Sequence, residues 1–465
     1  MDLDRREFIQ QSTMAASSLF VPASITHHSS LARKRMALVG TGDRGSGFWG
    51  KNLMTNYSDL LEFVGLCDIN PGRAEYAKTY IGATCNTYTD FDKMMQETKP
   101  DMVIVTTVDA FHHEYIIKAL GYGADVITEK PLTTDEVKCA AILAAEKKSG
   151  KKVRVGFNYR HNPHVTKLKE LLTNQRVGKI TSVDFHWYLN VYHGADYFRR
   201  WHGFVNRSGS LWVHKATHHF DLLNWWIDSD PVEVMAYAKL ENYGKNSSFR
   251  GNTCRDCNFK STCKFHFDIT KNERYVNLYV NNEQYDNYHR DSCVFRNEID
   301  IWDKMSAQII YANGVTVNYS LTTYSPYEGW KTAFNGLNGR IDAWEDIPFM
   351  QADMDQANRH LNEMNQSRDE KPEGFDQIFV MDNFATKGEN LYVPKYKSGH
   401  GGGDGRMQDL IFRNPTNENP YKIMAGTRDG AFSCLIGIAA RKSLALNRSV
   451  RIEELTDLKP LPNRG

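Results

Sequence analysis

The sequence lacks a marked excess of charge of either sign, and it lacks long apolar runs. Its 57 Lys and Arg residues balance 56 Asp and Glu residues, which leaves a formal net charge of +1. Such a balance does not favour a nucleic acid or an acidic membrane as a partner. No segment reaches about 18 consecutive apolar residues, so we expect no integral membrane segment. With 465 residues, 41% of them hydrophobic, the chain is long enough for more than one globular domain.

Cysteine is also sparse, at 8 of the 465 residues. Four cysteines are scattered, and we expect them to be small buried residues: Cys67, Cys85, Cys139 and Cys434. The other four are grouped in a polar insertion at about residues 250–295: Cys254, Cys257, Cys263 and Cys293. Their spacing is typical of a structural zinc site, with His266 as an alternative to Cys293. Disulfides compete equally if the protein is exported, and iron–sulfur ligation or reduced core cysteines are further alternatives. In every case we expect a structural role, because the insertion has little apolar content.

The N-terminus differs from the rest of the chain. Arg5 and Arg6 precede Phe8 and Ile9, and a weakly apolar stretch of small residues follows at 12–25. This order resembles a twin-arginine export signal. We therefore expect residues 1–30 to be a signal and the protein to be exported to the periplasm. The alternative is the basic N-terminus of a cytoplasmic protein.

The first predicted strand covers residues 34–40, and a glycine-rich turn follows it. The turn has the pattern G-x-G-x-x-G, with its glycines at Gly40, Gly42 and Gly45, and a helix is predicted from Ser46. A second strand at 61–67 ends in Asp68, at the usual offset of the acidic residue that binds a ribose. These features predict that the backbone approaches a pyrophosphate at a helix N-terminus. Because the Asp68 carboxylate would repel a 2′-phosphate, the sequence favours NAD over NADP.

Strands and helices alternate up to about residue 157. This alternation predicts a parallel sheet with helices on both faces, that is, an N-terminal Rossmann dinucleotide-binding domain at residues 31–157. Ligands of such sheets lie at the carboxyl ends of the strands. The residues that we expect at these ends include Thr107, Glu129, Lys130 and Asn158.

The pattern changes in residues 158–465. Four runs with strand-like alternation, at 180–188, 232–240, 305–311 and 315–323, predict a second α/β domain with a mostly antiparallel sheet. We assign substrate binding to this domain, and the family resemblance given below with its motifs implies that it also serves oligomerisation. Residues 326–395 show little periodicity, and we expect them to wrap over the two domains.

Three titratable residues, His214, His218 and Asp221, fall at positions i, i+4 and i+7 of a predicted helix. This spacing places them on one helix face. An acid/base set aimed at a sugar is one interpretation, because histidine titrates near neutral pH. A polar face without catalytic function is the alternative, and a metal bound by His214 and His218 is a third.

A run of glycines surrounds His400, from Gly399 to Asp404. Consecutive glycines cost much backbone entropy on ordering, so such a loop usually serves a close approach. The loop resembles the His-Gly-Gly stretches of exported, NAD-dependent proteins, and this resemblance implies that His400 and Asp404 line a sugar site. A flexible linker is the alternative.

Several of these motifs, in this order, resemble the Gfo/Idh/MocA family of oxidoreductases. They are the glycine turn, Asp68, the segment from Thr107 to His112, the Glu129-Lys130-Pro131 triplet, and Tyr159-Arg160 ahead of Asn162-Pro163. The resemblance is strong over residues 34–240. It implies a homo-oligomer, a small-molecule carbohydrate substrate, and this cofactor-binding set: Gly40, Gly42, Asp43, Arg44, Gly45, Asp68, Thr107, His112, Glu129 and Asn158.

The resemblance also assigns roles to individual residues. It implies that Lys130 contacts the reacting hydroxyl, that Arg160 lies in the substrate site, and that His218 is the catalytic histidine. Relatives usually carry an aspartate where this chain has His214. We therefore expect Asp221 to orient His218 instead, or Lys215 to enter the proton relay.

The function expected from these features is an NAD-dependent oxidoreductase that oxidises a hydroxyl of a sugar, glycoside or polyol and moves a hydride from the carbon that bears it to tightly held NAD. The alternative is a redox-neutral glycoside hydrolase, which oxidises the sugar, eliminates the aglycone, adds water and returns the hydride. A non-catalytic NAD-binding protein is a third possibility, against which Lys130 and His218 argue. Export favours a retained cofactor, because no NAD pool exists outside the cytoplasm.

Overall fold

The first lobe is built on a parallel sheet. The computed structural model describes residues 32–346, 372–396, 398–415 and 420–464, and the expected export signal lies outside them. The strands of the first sheet are β1 (Lys34–Val39), β2 (Leu61–Cys67), β3 (Asn86–Tyr88), β4 (Met102–Val105), β5 (Asp125–Thr128) and β6 (Val153–Val155). They lie in the order β3-β2-β1-β4-β5-β6, and every pair is parallel. The predicted Rossmann fold is confirmed.

Helices cover both faces of this sheet. A π-helical segment, Gly45–Lys51, continues into α1 (Asn52–Tyr57), and the others are α2 (Pro71–Ile81), α3 (Phe91–Thr98), α4 (His112–Gly121) and α5 (Glu136–Ser149). Three of them begin after an Asn or Asp whose side chain accepts a backbone N–H of the first turn: Asn70, Asp90 and Asp135. Such capping compensates for the N–H groups that a helix start leaves unpaired.

The second lobe contains a sheet of nine strands. They are β7 (Ile180–Asn190), β8 (Pro231–Lys239), β9 (Lys304–Tyr311), β10 (Thr316–Ser325), β11 (Gly329–Gly336), β12 (Gly339–Glu345), β13 (Phe375–Asp382), β14 (Glu389–Pro394) and β15 (Val450–Arg451). Their order is β14-β13-β12-β11-β7-β10-β9-β8-β15, and only β7 and β10 pair in parallel. Burial alternates strictly along β9, as a sheet with one covered face requires. The predicted mostly antiparallel sheet is confirmed.

The described part of the segment 326–395 does not wrap over the two lobes. It supplies β11 to β14, which extend the sheet from the edge of β7. The strands escaped prediction because glycines bound β11 and charged side chains interrupt the apolar pattern. Cross-strand pairing supplies the stabilisation that the local pattern does not show.

Helices cover the buried face of the second sheet and connect the two lobes. They are α6 (Pro163–Thr173), α7 (Val191–Arg199), α8 (Val205–Ser208), α9 (Leu211–His214), α10 (Ala216–Ile227), α11 (Glu273–Leu278), α12 (Glu283–Asp286), α13 (Gly403–Gln408) and α14 (Thr427–Leu446). Every residue of α10 is buried, because this helix is enclosed by the sheet and α14. Within the described ranges, no helix is long and apolar enough to cross a membrane.

The chain returns to the first lobe near its end. Gln408 donates a hydrogen bond of 3.0 Å to the carbonyl of Phe48, and Met407 and Ile411 are buried in the core of the first sheet. Residues from Lys34 onward consequently form one compact unit. The glycine–histidine loop precedes this crossing, which brings it close to the glycine-rich turn.

Candidate active site

A cavity of about 710 Å³ lies between the lobes. One wall is formed by the glycine-rich turn and the carboxyl ends of β1, β4 and β5. The opposite wall comes from α7, α9, α10 and the turn at Trp201–Gly203. The position agrees with the rule that open parallel sheets bind ligands at the carboxyl ends of their strands.

The glycine-rich turn has the shape that a dinucleotide requires. Gly40 has φ +87°, and a Cβ at this position would lie 2.6 Å from the backbone of Thr106. A Cβ on Gly45 would lie 2.1 Å from the carbonyl oxygen of Gly40, so the helix can pack on β1 only without one. Gly42 and its neighbours Asp43 and Arg44 line the cavity. The turn therefore fits a pyrophosphate at its exposed backbone.

Asp68 lines the cavity directly after β2, and its carboxylate is held by several hydrogen bonds. The backbone N–H of Thr41 donates to Oδ2 at 2.7 Å, and the N–H of Asn70 donates to Oδ1 at 2.9 Å. Arg73 forms an ion pair with the same carboxylate at 3.0 Å. Asp68 is thus placed where the sequence predicts it, but a guanidinium balances its charge.

Arg44 connects the glycine-rich turn to the end of β5 and to α13. Its Nε donates to Glu129 at 2.7 Å, and its two terminal nitrogens donate to Asp404 at 3.1 Å each. Asp404 also accepts from Asn158 at 2.6 Å and contacts His400 at 3.0 Å. Arg44 lowers the pKa values of both carboxyl groups against the effect of burial. His400 and Asn158 line the cavity, whereas Asp404 lies behind them and does not.

His112 holds the ends of β4 and β5 together. Its Nδ1 lies 2.8 Å from the carbonyl oxygen of Pro131, and its Nε2 lies 3.1 Å from that of Thr107. Thr107 and His112 both line the cavity as predicted. Because two main-chain carbonyls occupy the imidazole nitrogens, His112 serves to position Lys130 and its neighbours.

Lys130 is half-buried in the wall of the cavity. Its Nζ donates to the carbonyl oxygen of His214 at 3.2 Å and lies 3.4 Å from Nε2 of the same residue. Burial lowers the pKa of Lys130 to about 8, although Asp109 and Glu129 act in the opposite direction. An amine that titrates this close to neutrality can exchange a proton with a substrate hydroxyl.

His214 has a carboxylate partner that the sequence analysis missed. Its Nδ1 lies 2.6 Å from Oδ2 of Asp109, in the loop after β4. Burial raises the pKa of Asp109 and lowers that of His214. With Asp109 ionised, Nδ1 carries the proton and Nε2 remains to accept a hydrogen bond from Lys130. The three groups form a relay, Asp109–His214–Lys130.

His218 faces the cavity next to Tyr159. The two rings meet edge to face, 4.5 Å apart, and Lys215 donates to the Tyr159 hydroxyl at 3.2 Å. Nδ1 of His218 is buried and has no hydrogen-bond partner among the described residues. Burial, followed by the charge of Lys130, lowers the pKa of His218. A neutral imidazole with a free nitrogen thus faces the space around Lys130.

Asp221 and Arg160 do not take the roles expected of them. The predicted common helix face is interrupted, because α9 ends at His214 and α10 begins at Ala216. Asp221 forms a buried ion pair with Arg160 at 2.6 Å, and Arg160 also pairs with Asp429 at 3.0 Å. Neither Asp221 nor Arg160 lines the cavity. Asp221 therefore does not orient His218, and the guanidinium of Arg160 connects the segment after β6 to α10 and α14.

A positional signal could have identified Asp109. It follows Thr107 by two residues, directly beyond the carboxyl end of β4, where ligand-facing residues are expected. No short-range pattern connects it with His214, which lies 105 residues further on. Other wall residues that the sequence did not indicate include Trp201, His202, Phe204, Arg207, Arg296 and Tyr279.

The insertion after β8 covers the glycine-rich turn. The backbone N–H of Asp43 donates to the Tyr279 hydroxyl at 2.8 Å. Arg274 donates to the carbonyl oxygen of Asp43 at 2.9 Å and to the Ser46 hydroxyl at 3.1 Å, and it pairs with the Asp43 carboxylate. Two insertion side chains thus contact the part of the turn that would surround a pyrophosphate.

The insertion also holds the start of α2. Asn70 donates to the carbonyl oxygen of Asn282 at 2.9 Å, and Arg73 pairs with Asp286 at 2.6 Å. A Cβ on Gly72 would lie 2.0 Å from the Asn282 side chain. These contacts flank Asp68. We refer to the four contacting insertion residues as the clamp: Arg274, Tyr279, Asn282 and Asp286.

The grouped cysteines form neither the zinc site nor the disulfides expected of them. All eight cysteines are free, and the part of the chain that the structure describes contains no group of three or more His, Cys, Asp or Glu placed to hold a metal. Cys254 accepts a hydrogen bond from Arg199, and Cys257 and Cys293 accept from nearby backbone N–H groups. The zinc and disulfide expectations are therefore not supported.

Aromatic packing holds the insertion instead. Ring centroids lie 5.0 Å apart for Phe249 and Phe259, and 5.6 Å apart for Phe265 and Phe295. The expectation of little apolar content overlooked these phenylalanines because they are separated by polar residues in the sequence. Their packing supplies a small apolar core. Among the scattered cysteines, Cys67, Cys139 and Cys434 are buried, and Cys85 is half-buried.

Comparison with known proteins agrees with this architecture. Residues 34–157 match the oxidoreductase family GFO_IDH_MocA, described as an NAD-binding Rossmann fold, and residues 169–452 match the C-terminal alpha/beta domain of that family. YteT of Bacillus subtilis (strain 168), whose name describes it as an oxidoreductase, is 34% identical over 92% of this chain and 99% of its own length.

Two further relatives carry more specific names. An inositol 2-dehydrogenase/D-chiro-inositol 3-dehydrogenase of Lactiplantibacillus plantarum is 26% identical over 44% of this chain and 55% of its own length. A levoglucosan dehydrogenase, solved in complex with NADH and levoglucosan, superposes with a TM-score of 0.62 at 16% identity, over 90% of this chain and 99% of that one. The last likeness concerns the fold. With matches that cover both lobes, the chain belongs to the Gfo/Idh/MocA family of oxidoreductases.

Proposed function

We propose that the chain is an NAD-dependent oxidoreductase that acts on a hydroxyl of a sugar, glycoside or polyol. The observation that carries the proposal is the position of Lys130, a half-buried amine with a pKa of about 8, in the cavity that begins at the glycine-rich turn. The named relatives support the substrate class, because inositol is a cyclic polyol and levoglucosan is an anhydrosugar.

The residues around Lys130 perform proton transfer. NAD held on the glycine-rich turn would supply the hydride acceptor. Neutral Lys130 accepts the proton of the substrate hydroxyl and, once charged, stabilises negative charge on that oxygen. His214 orients Lys130 through the 3.4 Å contact, and Asp109 fixes the tautomer of His214. His218 offers a second neutral base facing the same space.

Asp68 supports a preference for NAD over NADP. A carboxylate at this position accepts hydrogen bonds from ribose hydroxyls and repels a 2′-phosphate. Arg73 reduces the repulsion, but Asp286 shares its guanidinium at 2.6 Å. Two carboxylates therefore surround one guanidinium, and the local charge remains unfavourable for a phosphate.

The clamp supports tight retention of the cofactor. Its side chains contact Asp43, Ser46 and the first turn of α2, so release of a dinucleotide requires these contacts to open. A retained cofactor must be reset within each catalytic cycle. The same feature favours a second candidate, redox-neutral cleavage of a glycoside, in which the hydride returns to the product. Retention of the cofactor also accords with the export to the periplasm that we propose. We further propose that the protein is a homo-oligomer.

Two measurements on the purified protein test the proposal. Mass spectrometry after denaturation should detect NAD rather than NADP without any addition of cofactor. Sugars, glycosides and polyols are then supplied, and the absorbance of reduced nicotinamide is followed together with release of the aglycone. Lasting reduction without cleavage supports the oxidoreductase, whereas cleavage without net reduction supports the second candidate. Absence of both reduction and cleavage across the panel would refute the proposal.

A further inference from the structure

Beyond the relay, the cavity contains a region rich in aromatic and cationic side chains. The ring of His202 lies 4.1 Å from that of His214 and stacks on Trp201 at 3.6 Å. Phe204 continues the same segment, and Arg207 follows it one helical turn later. This region adjoins Lys130 through His214, so a substrate whose hydroxyl reaches Lys130 extends across it.

The carboxylates of the cavity wall do not balance this positive charge. They are Asp43, Asp68, Asp109, Glu114, Glu129 and Asp286. Four of them pair with three arginines on the cofactor side. Glu129 pairs with Arg44, Asp68 and Asp286 share Arg73, and Asp43 pairs with Arg274. Asp109 is held by His214, and Glu114 is an exposed residue of α4.

Arg296 and Arg207 form no ion pair with a carboxylate among the residues that the structure describes, although the charge of Glu298 acts on Arg296. Arg296 lies 5.3 Å over the ring of Phe204 and donates to two carbonyl oxygens at 3.2 Å. Its Nε is buried without a hydrogen-bond partner in the described ranges. Arg207 lies 5.4 Å over the ring of Phe111 and is otherwise exposed. Both guanidinium groups border the cavity.

Arg199 adds a third cation to the same wall. Its side chain is 7% exposed, and it donates to the Cys254 sulfur at 3.3 Å and to the carbonyl oxygen of Phe265. A buried guanidinium without an anion carries an uncompensated desolvation cost. An anionic group of a ligand would remove this cost through charge-assisted and bidentate hydrogen bonds.

We infer that the substrate is an anionic sugar, whose carboxylate or sulfate ester binds beside Arg207 and Arg296 while a ring hydroxyl faces Lys130. The inference rests on the proposed function and specifies its substrate class. The aromatic side chains of Trp201 and Phe204 supply apolar surface for the ring, and the guanidinium groups supply the specificity.

Calorimetric titration of the protein with its retained cofactor tests this inference. Three ligands are compared: a methyl glycoside, the matching methyl uronide and a sulfate ester of the same glycoside, each in the gluco and galacto series. At least one anionic ligand should bind about tenfold tighter than its neutral counterpart, or about 1.4 kcal/mol. Its affinity should fall as salt is raised. The tighter of the two anions identifies the group. Equal affinity of neutral and anionic ligands in both series would overturn the inference.

Charge-removing variants locate the anion. Arg207→Gln and Arg296→Gln should each weaken binding of the anionic ligand about tenfold and leave that of the neutral glycoside unchanged. Arg340→Gln is the matched control, because this arginine pairs with Asp342 on the exposed strand β12. Arg207 is exposed, so its variant folds even if loss of Arg296 disturbs the insertion. Unchanged anion affinity in Arg207→Gln would contradict the assignment. An anion that binds tightly but neither reduces the cofactor nor is cleaved would refute the proposed function, whereas binding of the anion beside Arg207 and Arg296 would stand.

Discussion

Replacing Asp109 by asparagine tests the relay directly. The two contacts of 2.6 and 3.4 Å on either side of the imidazole place the carboxylate roughly 8 Å from the Lys130 ammonium. At an effective dielectric constant of about 20, Coulomb's law gives 332/(20 × 8), or about 2 kcal/mol, which corresponds to about 1.5 pKa units. The carboxylate favours the charged amine, so its removal should lower the pKa of Lys130 from about 8 to roughly 6.5.

The pH dependence of turnover reports this change. Lys130 accepts the hydroxyl proton only as a neutral amine, so oxidation of the substrate speeds up as pH rises through its pKa. In Asp109→Asn this rise should occur roughly 1.5 pH units lower than in the native protein. The maximum rate should also fall, because the asparagine no longer fixes the tautomer of His214 and because the amine is a weaker base.

The assay is a single turnover of the retained cofactor, followed by the absorbance of reduced nicotinamide over the pH range in which the fold is stable. Asp92→Asn is the control, because it removes a carboxylate that pairs with Lys118 on the exposed surface of the same lobe. Its profile should coincide with that of the native protein. Coincidence of the Asp109→Asn profile with the native one would refute the coupling of Asp109 to Lys130.

Three further outcomes are expected. Lys130→Met should lower turnover about a hundredfold or more while NAD affinity, measured by calorimetry, stays within twofold or so; normal turnover would remove Lys130 from the mechanism. Asp221→Ala leaves Asp429 as the only carboxylate paired with the buried guanidinium of Arg160. The free energy of unfolding in urea should therefore fall by about 3 to 5 kcal/mol. The pH profile of turnover should keep its native midpoint, and a shifted midpoint would return Asp221 to the acid/base set. Asp68→Ser should bring the affinities for NAD and NADP about tenfold closer together, and an unchanged ratio in fluorescence titrations would show that Asp68 does not set the preference.

The first lobe was predictable because its signals are local. A strand, the glycine-rich turn and a helix follow one another within about two dozen residues, and Asp68 ends the next strand. Gly40 and Gly45 show why the pattern is so specific: each occupies a position where a Cβ would lie within 3 Å of the backbone. Lys130 was identified for a related reason, since the end of a parallel strand fixes its location regardless of distant contacts.

The parts that were missed depend on distant contacts. Helical spacing placed His214, His218 and Asp221 on one face, but the backbone changes course at Lys215 and directs Asp221 to Arg160, 61 residues earlier in the chain. Asp109 meets His214 only because the two lobes dock. The cysteine spacing was an unreliable guide, because the packing of four phenylalanines from separate positions makes a metal or disulfide unnecessary for holding the insertion.

The division of the relay between the lobes has a further consequence. Asp109 follows a strand of the first sheet, whereas His214 ends a helix over the second, and their 2.6 Å contact is one of the bonds across the cavity. Any hinge movement wide enough to admit a sugar separates them and frees the imidazole to rotate. The relay is therefore complete, and proton transfer through it possible, only while the cavity is closed. A hydride held on the nicotinamide between two half-reactions would then have no aligned proton relay during an opening.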